Sequence, residues 1–201
     1  MKTTDFGFIG VGRMGAHMAR RILKAGHSLT VYDTSKDAVA ELVKSGAQAA
    51  GSALEVANAS EKVFLSLPTP DIVTKVCESL TAATMVKIVA DCSTTGPGGA
   101  RIAQAALAKA NMTYIDALVS GGMAGARDDT LAVMVSGKRE AYEQIESGLK
   151  QFGKLFFVGE GAGQAQVMKL ANNMIAAAVI VLSSEVIAMG DRKSTRLNSS
   201  H

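Results

Sequence analysis

At 201 residues, 48% apolar and 19% charged, the chain has the composition of a folded globular protein and room for one ordinary domain plus part of a second. A formal charge of only +3, with no Lys/Arg cluster interleaved with aromatics, leaves a nucleic-acid partner without support. Cys77 and Cys92 stand outside any CxxC spacing, which argues against a disulfide framework or a zinc site and makes a reducing cytoplasm the expected compartment.

Short apolar runs alternate with helical patterns along the chain, which predicts βαβ units, a mainly parallel sheet and an α/β fold of the Rossmann, doubly wound type. Phe6–Ile9 reads as the first strand; Asp5 and a glycine-rich turn bound it, so the N-terminus lacks a signal-peptide layout. Met14 to Lys24 reads as a helix with Met14, Met18, Ile22 and Leu23 inward, ending at Gly26. Leu29–Tyr32 is the second strand. Ser35 caps a helix running to Lys44, and Ser52 caps another running to Ala59. Val63–Leu67 is a buried strand stopped by Pro68 and Pro70, and Ile88–Ala90 is the next. A helix from about Gly98 to Lys109 precedes strands at Thr113–Ala117 and Leu131–Val135, which the glycine-rich Ser120–Gly125 separates. Arg139 to Phe152 is helical and Leu155–Val158 is a last strand.

Gly159, Gly161 and Gly163 then form a hinge before a helix from about Gln164 to Met189. After Met174 this helix is apolar on nearly every side, so it needs burial on all faces. Its most apolar run, Met174 to Leu182, is too short to span a bilayer and leads into Ser183, Ser184 and Glu185, so no membrane partner is expected. The division expected is therefore a dinucleotide-binding domain over residues 1–162 and the first helix of a truncated all-helical domain over residues 163–190. The segment 191–201 changes character abruptly and carries no apolar period. Read back into codons, it resembles a short-read sequencing-library adapter, and it is expected to be a non-native tail.

Three constellations carry chemistry. The first is Gly10-Val11-Gly12-Arg13-Met14-Gly15, directly after a strand and opening a helix. Glycines there permit a tight turn, close backbone approach to a pyrophosphate and close helix–strand packing, while the helix N-terminus offers free N–H groups. GxGxxG alone is a weak signal. Asp33, ending the second strand eighteen residues after Gly15, strengthens it, because a carboxylate at that spacing grips an adenosine ribose diol. It also repels a 2′-phosphate, and Thr34 rather than arginine follows, so NAD is favoured while NADP stays open. A turn or capping role for Asp33 satisfies the same sequence.

The second is Asp116-Ala117-Leu118-Val119-Ser120-Gly121-Gly122, where a serine and paired glycines after a strand expose a hydroxyl and backbone N–H groups suited to a carboxylate. An ordinary flexible loop fits the same pattern. The third is Lys169-Leu170-Ala171-Asn172-Asn173, with Lys169 and Asn173 at i and i+4 on one helix face. Reduction of a carbonyl by hydride needs a proton donor, and the reverse reaction needs a base. His17 and His27 sit within and just after the first helix, badly placed for that task. A lysine serves if partial burial and a neighbouring positive nicotinamide lower its pKa. A lone helical lysine is more often a solvated side chain, but the face around Lys169 is apolar.

Together these segments resemble the β-hydroxyacid dehydrogenase family, which includes 3-hydroxyisobutyrate dehydrogenase and tartronate semialdehyde reductase. The resemblance covers residues 6–190. It rests on five segments in order: Phe8 to Gly15 with Met18-Ala19, Leu67-Pro68, Asp91-Cys92-Ser93-Thr94 with Pro97, the Ser120-Gly121-Gly122 loop, and Lys169 through Asn173. It implies that Gly10, Val11, Gly12, Arg13, Met14, Gly15 and Asp33 bind the dinucleotide, and that Leu67, Pro68 and Thr94 line its nicotinamide half. It implies that Ser120, Gly121 and Gly122 hold the carboxylate of a small hydroxy acid, that Lys169 is the general acid/base, and that Asn173 orients the substrate hydroxyl. The family's helical C-terminal domain supplies further active-site residues and builds a homodimer or homotetramer. Two positions depart from the family pattern. Leu118 replaces a proline and is expected to loosen the substrate loop, and Asp129 replaces a glycine and is expected to strain a turn. The competing reading is a catalytically silent NAD(P)-binding module. Such relatives, and the imine reductases on the same scaffold, usually lack a lysine at this position.

Overall fold

A computed structural model describes residues 2–122, 125 and 130–197, with side chains of the last helix described to residue 192. The elements in chain order are β1 (Phe6–Ile9), α1 (Arg13–Lys24), β2 (Leu29–Tyr32), α2 (Lys36–Lys44), β3 (Gln48–Ala49), α3 (Ala53–Ala59), β4 (Lys62–Leu65) and α4 (Pro70–Leu80). Then follow β5 (Ile88–Asp91), α5 (Gly96–Ala108), β6 (Thr113–Ser120), β7 (Leu131–Ser136), α6 (Arg139–Leu149), β8 (Gly153–Gly159) and α7 (Gln164–Leu197). Among the described residues the strands form one sheet in the order β3-β2-β1-β4-β5-β6-β7-β8. Only the β6–β7 pair is antiparallel, with Asp116 opposite Ser136 and Ser120 opposite Ala132. The chain leaves β1 for β2 on one side and later returns to place β4 on the other. That reversal opens a crevice at the carboxyl ends of β1 and β4, where doubly wound sheets bind ligands.

Local chemistry accounts for most element ends. Ser35 Oγ accepts from the Ala38 N–H and Ser52 Oγ from the Glu55 N–H, so both expected caps form. Glu55 reaches back to the Gly51 N–H, closing a capping-box-like turn. The Pro68–Pro70 stop hides a start. Thr69 Oγ1 accepts from the Ile72 N–H and Pro70 occupies the first turn of α4, a helix masked in the sequence because its opening Thr69-Pro70 also reads as the end of a strand. β3 is a two-residue edge strand without a pattern of its own.

Phe6, Phe8, Phe64 and Phe152 stack beneath α1 and α6 with ring centroids 5.1–6.4 Å apart, and each is fully buried. At about 1.5–3 kcal/mol per buried large side chain, this cluster anchors one face of the sheet. Ile9, Val63, Leu65 and Val89 pack the other face against α3, α4 and α5. On α1, Met18 and Ile22 are buried as expected, with Met14 and Leu23 half-buried against the same core.

Beyond its first turn α7 leaves this core. Met174 is 74% exposed, and Ile175, Ile180 and Ile187 are comparably bare. The helix runs past the expected end at Met189, because no proline intervenes and extending a formed helix costs little. Within Gln164–Arg192 an 18-residue window has a mean hydropathy of 1.8, and the helix is long and apolar enough to cross a membrane by length and composition. This exceeds what the Met174–Leu182 run implies. In aqueous buffer the 201-residue chain is expected to elute as an oligomer on size exclusion, and Ile180→Glu with Ile187→Glu to return it to the monomer position. Identical elution of both forms would exclude α7 as the contact.

Candidate functional site

A cleft of about 490 Å³ lies at the β1–β4 reversal, lined by Gly10, Gly12 to Gly15, Tyr32, Asp33, Thr34, Ser66 to Pro68, Ile72 and Val76. The glycines divide the work. Gly10 has φ +88°, and a Cβ there would lie 2.3 Å from the Ser66 carbonyl oxygen. A Cβ on Gly15 would lie 2.0 Å from the Gly10 carbonyl oxygen, so α1 can press on the turn only without a side chain. A Cβ on Gly12, by contrast, would meet nothing within 4 Å and would project into open space. Gly12 is also the N-cap of α1 and gives it no side-chain cap, so the first-turn N–H groups have no side-chain acceptor there. A helix N-terminus left in this state fits a pyrophosphate.

Asp33 is fixed by the turn it faces. Its Oδ2 accepts from the Val11 N–H at 2.7 Å and its Oδ1 from the Ser35 N–H at 2.8 Å. Thus Val11 acts through its backbone, and its side chain is buried in the core. Thr34 Oγ1 adds a longer contact to Oδ1 at 3.4 Å, and the carboxylate still keeps a lone pair on Oδ2 for a diol. Arg13, Met14, Leu67 and Pro68 line the cleft as expected. Tyr32, Ile72 and Val76 were not foreseen, the last two because they belong to α4.

The second half of the site gathers at the ends of β5 and β6. Ser120 closes β6, and Gly121 and Gly122 follow with φ +132° and +63°. Across from them Asn172 Nδ2 donates to Ser120 Oγ at 3.1 Å. The serine is thus met by Asn172 rather than by Asn173, and both asparagines are exposed. Lys169 is half-buried one turn earlier, and that burial holds its ammonium below the ordinary lysine range. Thr94 is exposed beyond β5; its neighbour Ser93 accepts from the Leu67 N–H at 2.8 Å and so braces the cleft wall. Leu118 is fully buried against Met134 and Ala165, inside β6 and ahead of the loop it is expected to loosen. Asp129 lies outside the described residues. His27 stacks on Phe6 at the opposite end of the sheet.

Beneath this site lies a buried polar network. Tyr114 Oη sits 3.1 Å from both Asp91 Oδ2 and Asp116 Oδ1. One hydroxyl proton shared between two carboxyl groups leaves both poorly matched, which favours a proton on the pair. Burial pushes Asp91 up to about 7, opposed by hydrogen bonds from Ser93 and Tyr114 and reinforced by Asp116. Asp116 is raised too, chiefly by burial. Asp116 Oδ2 further accepts from Ser136 Oγ and from the Gly163 N–H at the hinge.

This fold and this cleft define an NAD(P)-binding domain of the Rossmann type. The chain belongs to the family described as the NAD binding domain of 6-phosphogluconate dehydrogenase, matched over residues 5–161, and its relatives include β-hydroxyacid dehydrogenases. It is 39% identical to a 3-hydroxyisobutyrate dehydrogenase of Pseudomonas aeruginosa over 192 residues, covering 93% of this chain and 64% of that protein. It is 37% identical to an NAD-dependent L-serine dehydrogenase of the same organism, covering 91% of this chain and 63% of that one. The structure of Mycobacterium tuberculosis 3-hydroxyisobutyrate dehydrogenase with L-serine superposes with a TM-score of 0.89 at 30% identity, over 94% of this chain and 66% of that one. The chain thus spans just under two-thirds of the length of the curated relatives it matches.

The buried pair makes stability depend on pH. Asp91 binds its proton more tightly in the folded state than at its ordinary value of 3.8, so its contribution is complete below about pH 4 and is lost as pH rises through about 7. Urea midpoints of the wild type are expected to fall across that window, and Asp91→Asn, which keeps the shape but cannot ionise, to flatten the fall. Parallel curves for the two proteins would show that Asp91 is ionised throughout.

Proposed function

We propose that this chain is the cofactor-binding part of an enzyme that moves a hydride reversibly between NAD(P) and a small 3-hydroxy acid, such as 3-hydroxyisobutyrate, serine or 2-hydroxy-3-oxopropionate. The observation that carries the reading is the seat of Lys169. It lies half-buried on the α7 face whose Asn172 holds Ser120, and α7 is anchored beside the loop whose Ser93 braces Leu67 of the cleft.

In this reading the open space at Gly12 and the bare α1 N-terminus receive the pyrophosphate, and Asp33 accepts from the ribose hydroxyls. A bound nicotinamide supplies the hydride acceptor or donor. Ser120 and the N–H groups of Gly121 and Gly122 hold the substrate carboxylate, and Asn172 fixes the Ser120 hydroxyl for that contact. Asn173 orients the substrate hydroxyl. Lys169 takes the hydroxyl proton in oxidation and returns it in reduction; its depressed pKa raises the fraction of free amine near neutrality. The shared chemistry of the named relatives, a hydroxyl one carbon removed from the carbon bearing the carboxylate, supports the substrate class.

The domain division proposed is 1–162 for the nucleotide domain, 163–190 for the first helix of an all-helical domain that completes the pocket, and 191–201 for a translated adapter. A transcript whose native coding sequence continues through 191–201 would reject the last point. That helical domain, a homodimeric or homotetrameric assembly and a cytoplasmic setting are parts of the same reading. Protein cover for α7, rather than lipid, is supported by Asn172, Asn173, Ser183, Ser184 and Glu185 along its length. A silent binding module is the lesser reading, because it leaves a half-buried lysine beside the serine loop without a task.

In the complete enzyme Lys169→Ala is expected to lower turnover about 100- to 10,000-fold while NADH affinity is kept, read by steady-state kinetics and fluorescence titration. Near wild-type turnover would remove Lys169 as the proton carrier. Asp33→Ala is expected to erode the preference for NAD over NADP about tenfold or more, in line with the loss of one charge-assisted contact; an unchanged ratio of kcat/KM would show that Asp33 does not read the ribose.

A further inference from the structure

Gln166 is the most fully engaged polar side chain among those described, and nothing above gives it a task. It stands in the first turn of α7, with none of its surface exposed. Its Oε1 accepts from the Thr95 N–H at 3.1 Å and the Gly96 N–H at 3.0 Å. Its Nε2 donates to Ser93 O at 3.1 Å and Thr95 Oγ1 at 3.0 Å, with Asp116 Oδ1 at 3.3 Å. Both lone pairs and both amide protons are therefore used. These partners lie on the β5–α5 connection and on β6, the two places that frame the far half of the cleft. Ser93 also holds the Leu67 N–H, so one relay runs from the cleft wall to α7 through a single side chain.

We propose that Gln166 is a positioning residue: it fixes the rotation and height of α7 against the strand ends and thereby sets where Lys169, three residues on, meets the substrate. The inference rests on the reading of Lys169 as the proton carrier. A slip of α7 by one residue would carry Lys169 about 1.5 Å along the axis and turn it by about 100°. Misplacements of that size cost reactions about 100-fold. The amide is required because its two ends do opposite things. An acceptor-only group of the same shape would face the Ser93 carbonyl and Asp116 without a proton to give, with Asp91, Tyr114 and Asp116 as the ionisable groups closest to it in the network.

The test uses the complete enzyme carrying Gln166→Ala or Gln166→Glu, with circular dichroism to check folding. Turnover, NADH affinity and the titration of Lys169 are measured on each, the last by NMR of 13C-methylated lysines assigned with Lys169→Arg. In Gln166→Ala, kcat is expected to fall about 10- to 100-fold with NADH affinity unchanged, and the Lys169 midpoint to rise toward the ordinary lysine value as its burial is lost. Gln166→Glu is expected to come nearest the wild type at low pH, where a protonated carboxyl keeps one of the amide's two donations, and to lose turnover relative to the wild type as pH rises. If Gln166→Ala does not fold, the pH series of Gln166→Glu decides alone. A wild-type Lys169 midpoint with wild-type turnover in Gln166→Ala, or a pH-independent ratio for Gln166→Glu, overturns the proposal. Full turnover by Lys169→Ala would instead sink the proton-carrier reading, and the Lys169 midpoint would still decide whether Gln166 sets its seat.

Discussion

The arrangement depends on a carboxylate that has been taken out of water. Asp116, in the middle of the sheet's second half, accepts from Tyr114, Ser136, Gln166 and the backbone of Gly163. Leaving any of these donors unmatched in the interior would cost about 1–3 kcal/mol, so the group is stable only as a set. The set joins β6, β7, the glycine hinge and the first turn of α7, which is where the nucleotide domain hands over to the helix that carries Lys169. Apolar packing alone would not fix that handover. Leu118, Met134 and Ala165 make a small greasy seat, and such seats tolerate sliding in a way that directional hydrogen bonds do not.

The opposite half of the site works by exclusion. Gly10 and Gly15 have carbonyl oxygens where side chains would be, so the turn is held by backbone sterics, while the space beside Gly12 is kept open. One side of the cleft is therefore set by what is missing and the other by what is paired. Ser93 connects them, accepting from Leu67 on the cleft wall while its carbonyl accepts from Gln166. The far wall of the cleft lies between a doubly wound sheet and a long helix that is exposed beyond its first turn.

The sequence announces those parts whose cause is local. Short β-branched runs and the Ser35 and Ser52 caps are each decided by residues within a turn or two, and the structure matches them closely. α4 was hidden because Thr69-Pro70-Asp71 reads equally as the end of a strand and as the cap, first position and acidic first turn of a helix. The apolar residues at 72, 73, 76, 77 and 80 resolve it only once the proline is taken as a start. Which of two adjacent asparagines meets Ser120 depends on the rotation of α7, and no helical wheel contains that rotation. The Asp116–Gln166 pairing spans fifty residues and involves residue types that usually lie at the surface, so its signal exists only in three dimensions.

The direction of β7 has its own consequence. β1, β4, β5 and β6 all deliver their chains to one edge of the sheet, and β7, running against them, starts from that same edge with Leu131 near where Ser120 ended. The intervening segment can be lengthened, shortened or rewritten in related proteins without disturbing a ladder, a crossover or the nucleotide turn. Change at this end of the sheet can thus leave the nucleotide-binding half unaltered, and divergence within the family is expected to concentrate its insertions between these two residues.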